Sequence, residues 1–228
     1  MQDSKNVDDS EMSEPSDSTL PVKATTRRLS PEVREKQIVL KAIEHFATHG
    51  FSGSTRELAR QLEITQPLLY RYFPSKEALI DRVYDEVYRW DTSWEAVIKD
   101  RSQSLQSRLV RFYTSYANVI LRREWIRIFV FAGLTREGIN DRYLGKLRER
   151  VFIPVIAEIR HAHGLASSSD KTINNKELEL IWSLHASIFY VGMRKWIYDL
   201  PVTEDIDALI EQMVDAFLHG SPHVLQQV

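Results

Sequence analysis

Gln66, Tyr70 and Arg71 fall within one short stretch, TQPLLYRYF, running from Thr65 to Phe73. An amide, a phenol and a guanidinium one helical turn apart are suited to reading nucleic acid. A Gln side chain pairs with adenine N6 and N7, and an Arg with guanine O6 and N7 or with phosphate. Thr65 places a hydroxyl where a helix would start, and a helix N-terminus itself favours phosphate. Pro67 and Leu68 offer apolar contact, for example to a thymine methyl, in place of hydrogen bonds. By pattern alone the same stretch also suits an ordinary helical hairpin with solvated polar residues, since short motifs match by chance.

Such residues need a scaffold, and the surrounding sequence supplies one. Ser54 to Phe73 fits a short helix, a three-residue turn and a second short helix, the size of a helix-turn-helix. Leu58, Ala59, Leu62, Ile64 and Leu69 form its shared inner face, with small Ala59 letting the helices approach. Gln66, Pro67, Leu68, Tyr70 and Arg71 then project outward. Upstream, Ser30-Pro31 reads as an N-cap and a Pro at N1. Ile38, Val39, Ala42, Ile43, Phe46 and Ala47 make one helical face that Gly50 stops. Downstream, Pro74 ends the second short helix, and Ser75 caps a fourth carrying Leu79, Ile80, Val83 and Val87.

Beyond residue 100 the helices lengthen. Leu105, Leu109, Phe112, Tyr113, Tyr116, Val119 and Ile120 form a continuous stripe. Trp125 to Leu134 is apolar on nearly all sides, with Arg127 interrupting it, and should be buried. Ile139 to His163 is a further helical run in which Pro154 predicts a kink or split. The segments 176–198 and 203–218 are helices joined by a few residues, hence antiparallel neighbours. No strand-period segment competes. The prediction is an all-α chain of about nine helices: an N-terminal three-helix domain with the helix-turn-helix over 30–83, and a helical bundle over 84–228.

The chain has 228 residues, enough for one or two domains, and its eight Gly and eight Pro argue against many short strands. It has no Cys, which excludes disulfides, Cys-ligated zinc, iron–sulfur clusters and cysteine catalysis. Net charge is −2, unevenly spread: −4 over residues 1–26, +3 over 27–82 and −1 over 83–228. The middle segment is the one placed to meet a polyanion. The N-terminus has neither the basic start nor the apolar stretch of a secretory signal, and no apolar run approaches membrane-spanning length. A cytoplasmic protein without membrane contact is the expectation. Residues 1–29 are expected to be a disordered tail, because the Ser/Asp-rich sequence has little to bury.

The run IVLKAIEHFATHGF, followed by TRELARQLEITQPLLYRYFPSKEALI, resembles the DNA-binding domain of the tetracycline-repressor (TetR) family. The resemblance rests on Ile38, Ala42, Phe46, Gly50 and Phe51, on Thr55, Leu58 and Ala59, on Tyr70, Tyr72 and Phe73, and on Ser75, Lys76, Glu77 and Leu79. It implies a homodimeric transcription regulator, commonly a repressor, released from a near-palindromic double-stranded DNA operator by a small effector. Carried over by position, Thr55 and Arg56 begin a helix facing the DNA backbone. Thr65, Gln66, Pro67 and Leu68 enter the major groove, and Tyr70 and Lys76 clamp phosphates; outward Arg71 completes the set. Glu63 departs from the family at a turn position where Gly is frequent and a positive φ is favoured. Pro67 and Leu68 depart where small or hydroxyl residues are common.

The resemblance also implies that 176–198 and 203–218 form a four-helix dimer interface. Gly192, costly inside a helix, is expected at that contact. Among the many aromatic residues of the second domain, Trp94, Tyr113, Tyr116, Phe129, Trp182 and Phe189, with His185, are the candidates to line an apolar effector pocket, although cores use aromatics routinely. His161 and His163, two apart, do not share a helix face and make no metal pair. No catalytic constellation, metal spacing or cofactor motif is found. Two alternatives remain: the same fold holding a protein partner with DNA binding lost, and an all-helical enzyme.

Overall fold

A computed structural model describes residues 30–135, 137–165 and 171–225, with side chains up to residue 220. The tail expected over 1–29 lies outside the described residues. The described elements are α1 (Pro31–His49), α2 (Thr55–Gln61), α3 (Gln66–Tyr72), α4 (Lys76–Val87), α5 (Ser93–Lys99), α6 (Leu105–Ile120), α7 (Arg123–Thr135), α8 (Ile139–Leu147), a π-helical turn (Arg148–Phe152), α9 (Ile153–Ala162), α10 (Asn175–Trp196) and α11 (Ile206–Leu225). There is no strand among the described residues. Because α8, the π turn and α9 run on as one rod, the helices among the described residues number ten, one more than the sequence predicts. The addition is α5, too short to show a period, which buries only Trp94 and Ile98.

Local chemistry sets most boundaries. The hydroxyls of Ser30, Ser54, Thr65, Ser75 and Ser104 each accept a hydrogen bond from a backbone N–H in the first turn of α1, α2, α3, α4 and α6. Asn174 and Glu177 form a reciprocal capping box at the start of α10. Pro154 has no N–H to give the carbonyl four residues back. The rod answers by shifting to π-type bonding over Arg148–Phe152, so the helix changes register there without ending.

Packing follows from the apolar faces. α1 lies against α7 and α4, α10 against α7 and α11, and α6 against α5 and α11. The described core runs without a break from Ile38 in α1 to Val214 in α11. Charged residues inside it are paired. Glu158 of α9 accepts from Arg108 at 2.8 Å and from Arg101 at 2.9 and 3.0 Å, and Arg160 donates to Glu177 across to α10. Removing one member of such a pair strands a buried charge, at about 3–5 kcal/mol.

The structure corrects the reading of Gly192. It is buried, and a Cβ there would stand 2.5 Å from Ile126 Cδ1, 2.8 Å from Ile126 Cγ1 and 3.2 Å from Leu121 Cδ2. The close approach that requires glycine comes from α7 and the end of α6 in the same chain, so Gly192 does not mark a partner contact. Gly192→Val should therefore overpack a closed core and lower the unfolding free energy by about 2 kcal/mol. Urea denaturation checks this. A variant as stable as the parent would show that α7 yields where the packing says it cannot.

Candidate nucleic-acid interface

The turn between α2 and α3 is built by the end of α2. Ile64 N–H bonds to the Ala59 carbonyl at 3.0 Å and Glu63 N–H to the Arg60 carbonyl at 3.1 Å, the paired bonds of a Schellman motif. That motif needs a left-handed residue, and Glu63 takes the position at φ 54°. An L-residue in this conformation costs roughly 1–2 kcal/mol. Ala59 and Leu58, both buried, then receive Leu69 of α3, which is 1% exposed. Burying Leu69 turns the opposite side of α3 to solvent.

Pro67, Tyr70 and Arg71 are exposed on that side, and Gln66 and Leu68 are half-buried. Thr65 accepts from Leu68 N–H at 3.3 Å, so its hydroxyl is occupied as the cap of α3. Arg56, in the first turn of α2, is exposed; Arg60 beside it is held by Glu57 at 2.6 Å. Arg60 and Gln61 hold the Glu57 carboxyl down at about 2. Neither Arg56 nor Arg71 forms an ion pair among the described residues. Lys76 is half-buried and its ammonium donates to the Phe51 carbonyl, tying the loop before α2 to the start of α4.

Thr55 links the two helices directly. Gln66 Nε2 donates to Thr55 Oγ1 at 3.1 Å, and Thr55 Oγ1 is hydrogen-bonded to Tyr70 Oη at 3.0 Å. Sequence reasoning set each of these three residues toward DNA separately. Their mutual contact, across 11 and 15 residues of sequence, had no signal in the spacing.

Residues 38–83, which contain this whole unit, match the sequence model of the bacterial regulatory proteins, tetR family. Over this segment the chain is similar to the tetR family. Among curated proteins it is similar to the HTH-type transcriptional regulator LuxR of Vibrio harveyi, 35% identical over 63 residues, covering 27% of this chain and 31% of that protein. It is also similar to the uncharacterized HTH-type transcriptional regulator YuxN of Bacillus subtilis, 28% identical over 97 residues, covering 41% of this chain and 33% of the other. The chain thus spans about a third of the length of these relatives. The fold as a whole is similar to a TetR-like transcriptional regulator from Rhodococcus sp. RHA1, at TM-score 0.57 and 22% identity, over 85% of this chain and all of that one. A structure described as the putative transcriptional regulator from Pseudomonas aeruginosa PAO1 aligns at TM-score 0.62 and 19% identity, over 85% of this chain and 94% of that one.

The candidate effector residues are packed against one another in the helical bundle. Tyr116 lies 5.2 Å from Trp94 and 5.6 Å from His185, ring centre to centre, and Trp182 is 5.6 Å from His185. Tyr113 also meets Tyr116 edge-on, while Phe129 and Phe189 meet each other around Trp125. Two residues that the sequence reading missed join these groups. Tyr143 shares a 3.1 Å hydrogen bond with Tyr116, and Phe152 lies against Trp182 and His185. Both come from the rod around the π turn, whose rotation the sequence pattern could not place. Two clefts, of about 370 and 490 Å³, lie instead along α4 beside Arg122, and none of these candidates lines them.

Two tests follow. Glu63→Gly should relieve the left-handed strain and raise stability by about 1 kcal/mol, read by urea denaturation. Burial pushes the His185 imidazole down to about 4 from an ordinary 6.5. Below pH 6.5 the unfolded chain takes up this proton before the folded chain does, so stability falls as pH drops from 6.5 to about 4 and levels off below. The shift corresponds to a loss of about 3 kcal/mol. His185→Leu should flatten that part of the stability curve.

Proposed function

We propose that this protein is a sequence-specific DNA-binding transcription regulator acting as a homodimer, a repressor released from its operator by a small, mostly apolar effector. The observation that carries the reading is the outward side of α3. It joins Gln66, Pro67, Leu68, Tyr70 and Arg71 on a helix-turn-helix that coincides with the tetR-family match. In this reading residues 30–83 hold the DNA and residues 84–228 sense the effector and dimerise. Arg56 and Arg71 are exposed cations free of acidic partners among the described residues, which supports a phosphate surface. A partner-binding module without DNA contact would have no use for them. Family and fold point to a regulator and away from an enzyme.

The dimer reading is supported by α10 and α11, antiparallel neighbours with Tyr190 51% exposed and with Met213 and Phe217 only half-buried. A two-fold dimer would set two α3 helices in successive major grooves, about 34–36 Å apart, on a near-palindrome. The effector reading is supported by polar atoms left over in the aromatic interior: Tyr113 Oη and His185 Nδ1 have no hydrogen-bond partner among the described residues. No described helix is long and apolar enough to cross a membrane, which is consistent with a cytoplasmic site of action.

Selection from a random duplex library by the full chain, followed by fluorescence anisotropy on the selected duplex, tests the reading. Affinity should fall steeply with salt. Arg56→Ala and Arg71→Ala should each lower the slope of log affinity against log salt by about 0.9, one phosphate contact apiece. A library that yields no enriched sequence would refute specific DNA binding.

A further inference from the structure

We infer that Thr55 is a positioning residue for base recognition. Through a directional hydrogen-bond chain from Tyr70, it fixes which way the Gln66 amide faces and so makes that side chain select adenine over guanine. This rests on the DNA-binding reading above and deepens it. The geometry is the chain Gln66 Nε2, Thr55 Oγ1, Tyr70 Oη, with links of 3.1 and 3.0 Å.

The direction of the chain follows from what each group can do. Thr and Tyr hydroxyls each have one proton to donate and lone pairs to accept, and a phosphate oxygen only accepts. Tyr70 is 38% exposed at the outer end of the chain. When its O–H donates to a phosphate, its lone pair is left to accept from the Thr55 hydroxyl. Thr55 has then spent its proton and can only accept from its other neighbour. The atom of Gln66 that faces Thr55 must therefore be the NH2. Each bond in such a run polarises the next in the same sense.

This leaves the Gln66 side chain with Oε1 and its second N–H pointing away from α2. An acceptor beside a donor complements adenine, whose major-groove edge offers the N6 donor beside the N7 acceptor. Guanine presents two acceptors there, O6 and N7, so O6 would face Oε1 without a proton between them. A Gln free to rotate its amide by half a turn would place NH2 toward guanine and lose the distinction. The backbone contact of Tyr70 and the base contact of Gln66 are thus one unit, and Thr55 is the joint.

The experiment uses the full chain and the duplex it selects from a random library. The base pair read by Gln66 is located as the position where Gln66→Ala removes the preference. Duplexes carrying adenine or guanine at that position are then compared by anisotropy. The parent should prefer adenine by about tenfold or more, the range of one good bidentate contact. Thr55→Val, which keeps the shape and leaves the Ser54 cap in place, should bring the ratio to within about threefold. Thr55→Ser should restore it, and Tyr70→Phe, cutting the chain at its other end, should also collapse it. A Thr55→Val variant that weakens both duplexes equally, with the ratio intact, would make Thr55 a plain backbone contact and overturn the proposal. So would a parent that prefers guanine at that position. A parent that enriches no sequence overturns the DNA reading itself, and the relay with it.

Discussion

The guanidinium of Arg127 holds the N-terminal helices to the rest of the molecule. It stands in the otherwise apolar α7 and donates through Nε to the Ala47 carbonyl and through Nη1 to the Trp196 carbonyl at 3.2 Å. Both acceptors lie in the last turn of a helix, α1 and α10, where carbonyls lack intrahelical partners and the helix dipole is negative. Phe131, one turn on, carries its ring under the guanidinium at 5.5 Å and presses on Gly50. Gly50 sits at φ 68°, and a Cβ there would come within 2.9 Å of the ring. Glycine is required for both reasons, the backbone angle and the missing Cβ. Where α1 stops decides where the Phe51 carbonyl lies, and Lys76 grips that carbonyl. The position of α2, and of α3 packed on it, descends from this joint.

The bundle meets a different constraint, since charges on the α8–α9 rod pass through its interior. Glu158 and Arg160 lie two apart and so point to different sides, and each finds a partner on its own side. Arg101 and Arg108 take the first, and Glu177 takes the second. Desolvation would raise the Glu158 carboxyl, yet the two guanidinium groups keep it below the ordinary range. Glu177 is shared further, because its other oxygen accepts from Asn174 N–H at 2.9 Å to complete the α10 cap. A buried ion pair and a helix start are thus the same carboxylate. Changing it would unsettle both the packing of α9 and the beginning of α10.

Short-range features were legible in the sequence and long-range ones were not. Ser30, Thr65 and Ser75 announce their helices because a cap bonds within three residues. The positive φ at Glu63 was implied by the family resemblance, which has Gly frequent at that turn position. The surface of α3 followed from Leu69 alone, since one buried position fixes the opposite side. Arg127 showed only as an interruption in an apolar run, because its two acceptors lie 80 and 69 residues away. Gly192 was read correctly as a close approach and assigned the wrong neighbour, for the sequence does not say which helix comes near. Likewise the aromatic residues could be counted, while their grouping depended on how far the π turn rotates the rod that carries Tyr143 and Phe152.

The seam between the first four helices and the bundle is strong on one side and weak on the other. At the α1–α7 edge, Arg127 makes charge-assisted bonds to backbone, of the kind worth about 1.5–3 kcal/mol. At the α4–α8 edge the polar link is Arg142 to Asp81 at 2.7 Å, with Arg142 also over the Tyr84 ring at 3.9 Å. That ion pair is 47% and 66% exposed, and exposed pairs contribute about 0–1 kcal/mol. Between the edges runs the cleft of about 370 Å³ lined by Leu40, Ile43, Val87 and Trp125, where apolar atoms have water or nothing opposite them. Trp125 Nε1, buried beside it, has no hydrogen-bond partner among the described residues. On top of the shared apolar core, the charge-assisted anchoring of the first four helices to the bundle is therefore at the C-terminus of α1. α4, which follows α3 directly, adds to its exposed ion pair a buried bond at its C-terminal end, from Tyr88 Oη to the Trp125 carbonyl at 3.2 Å.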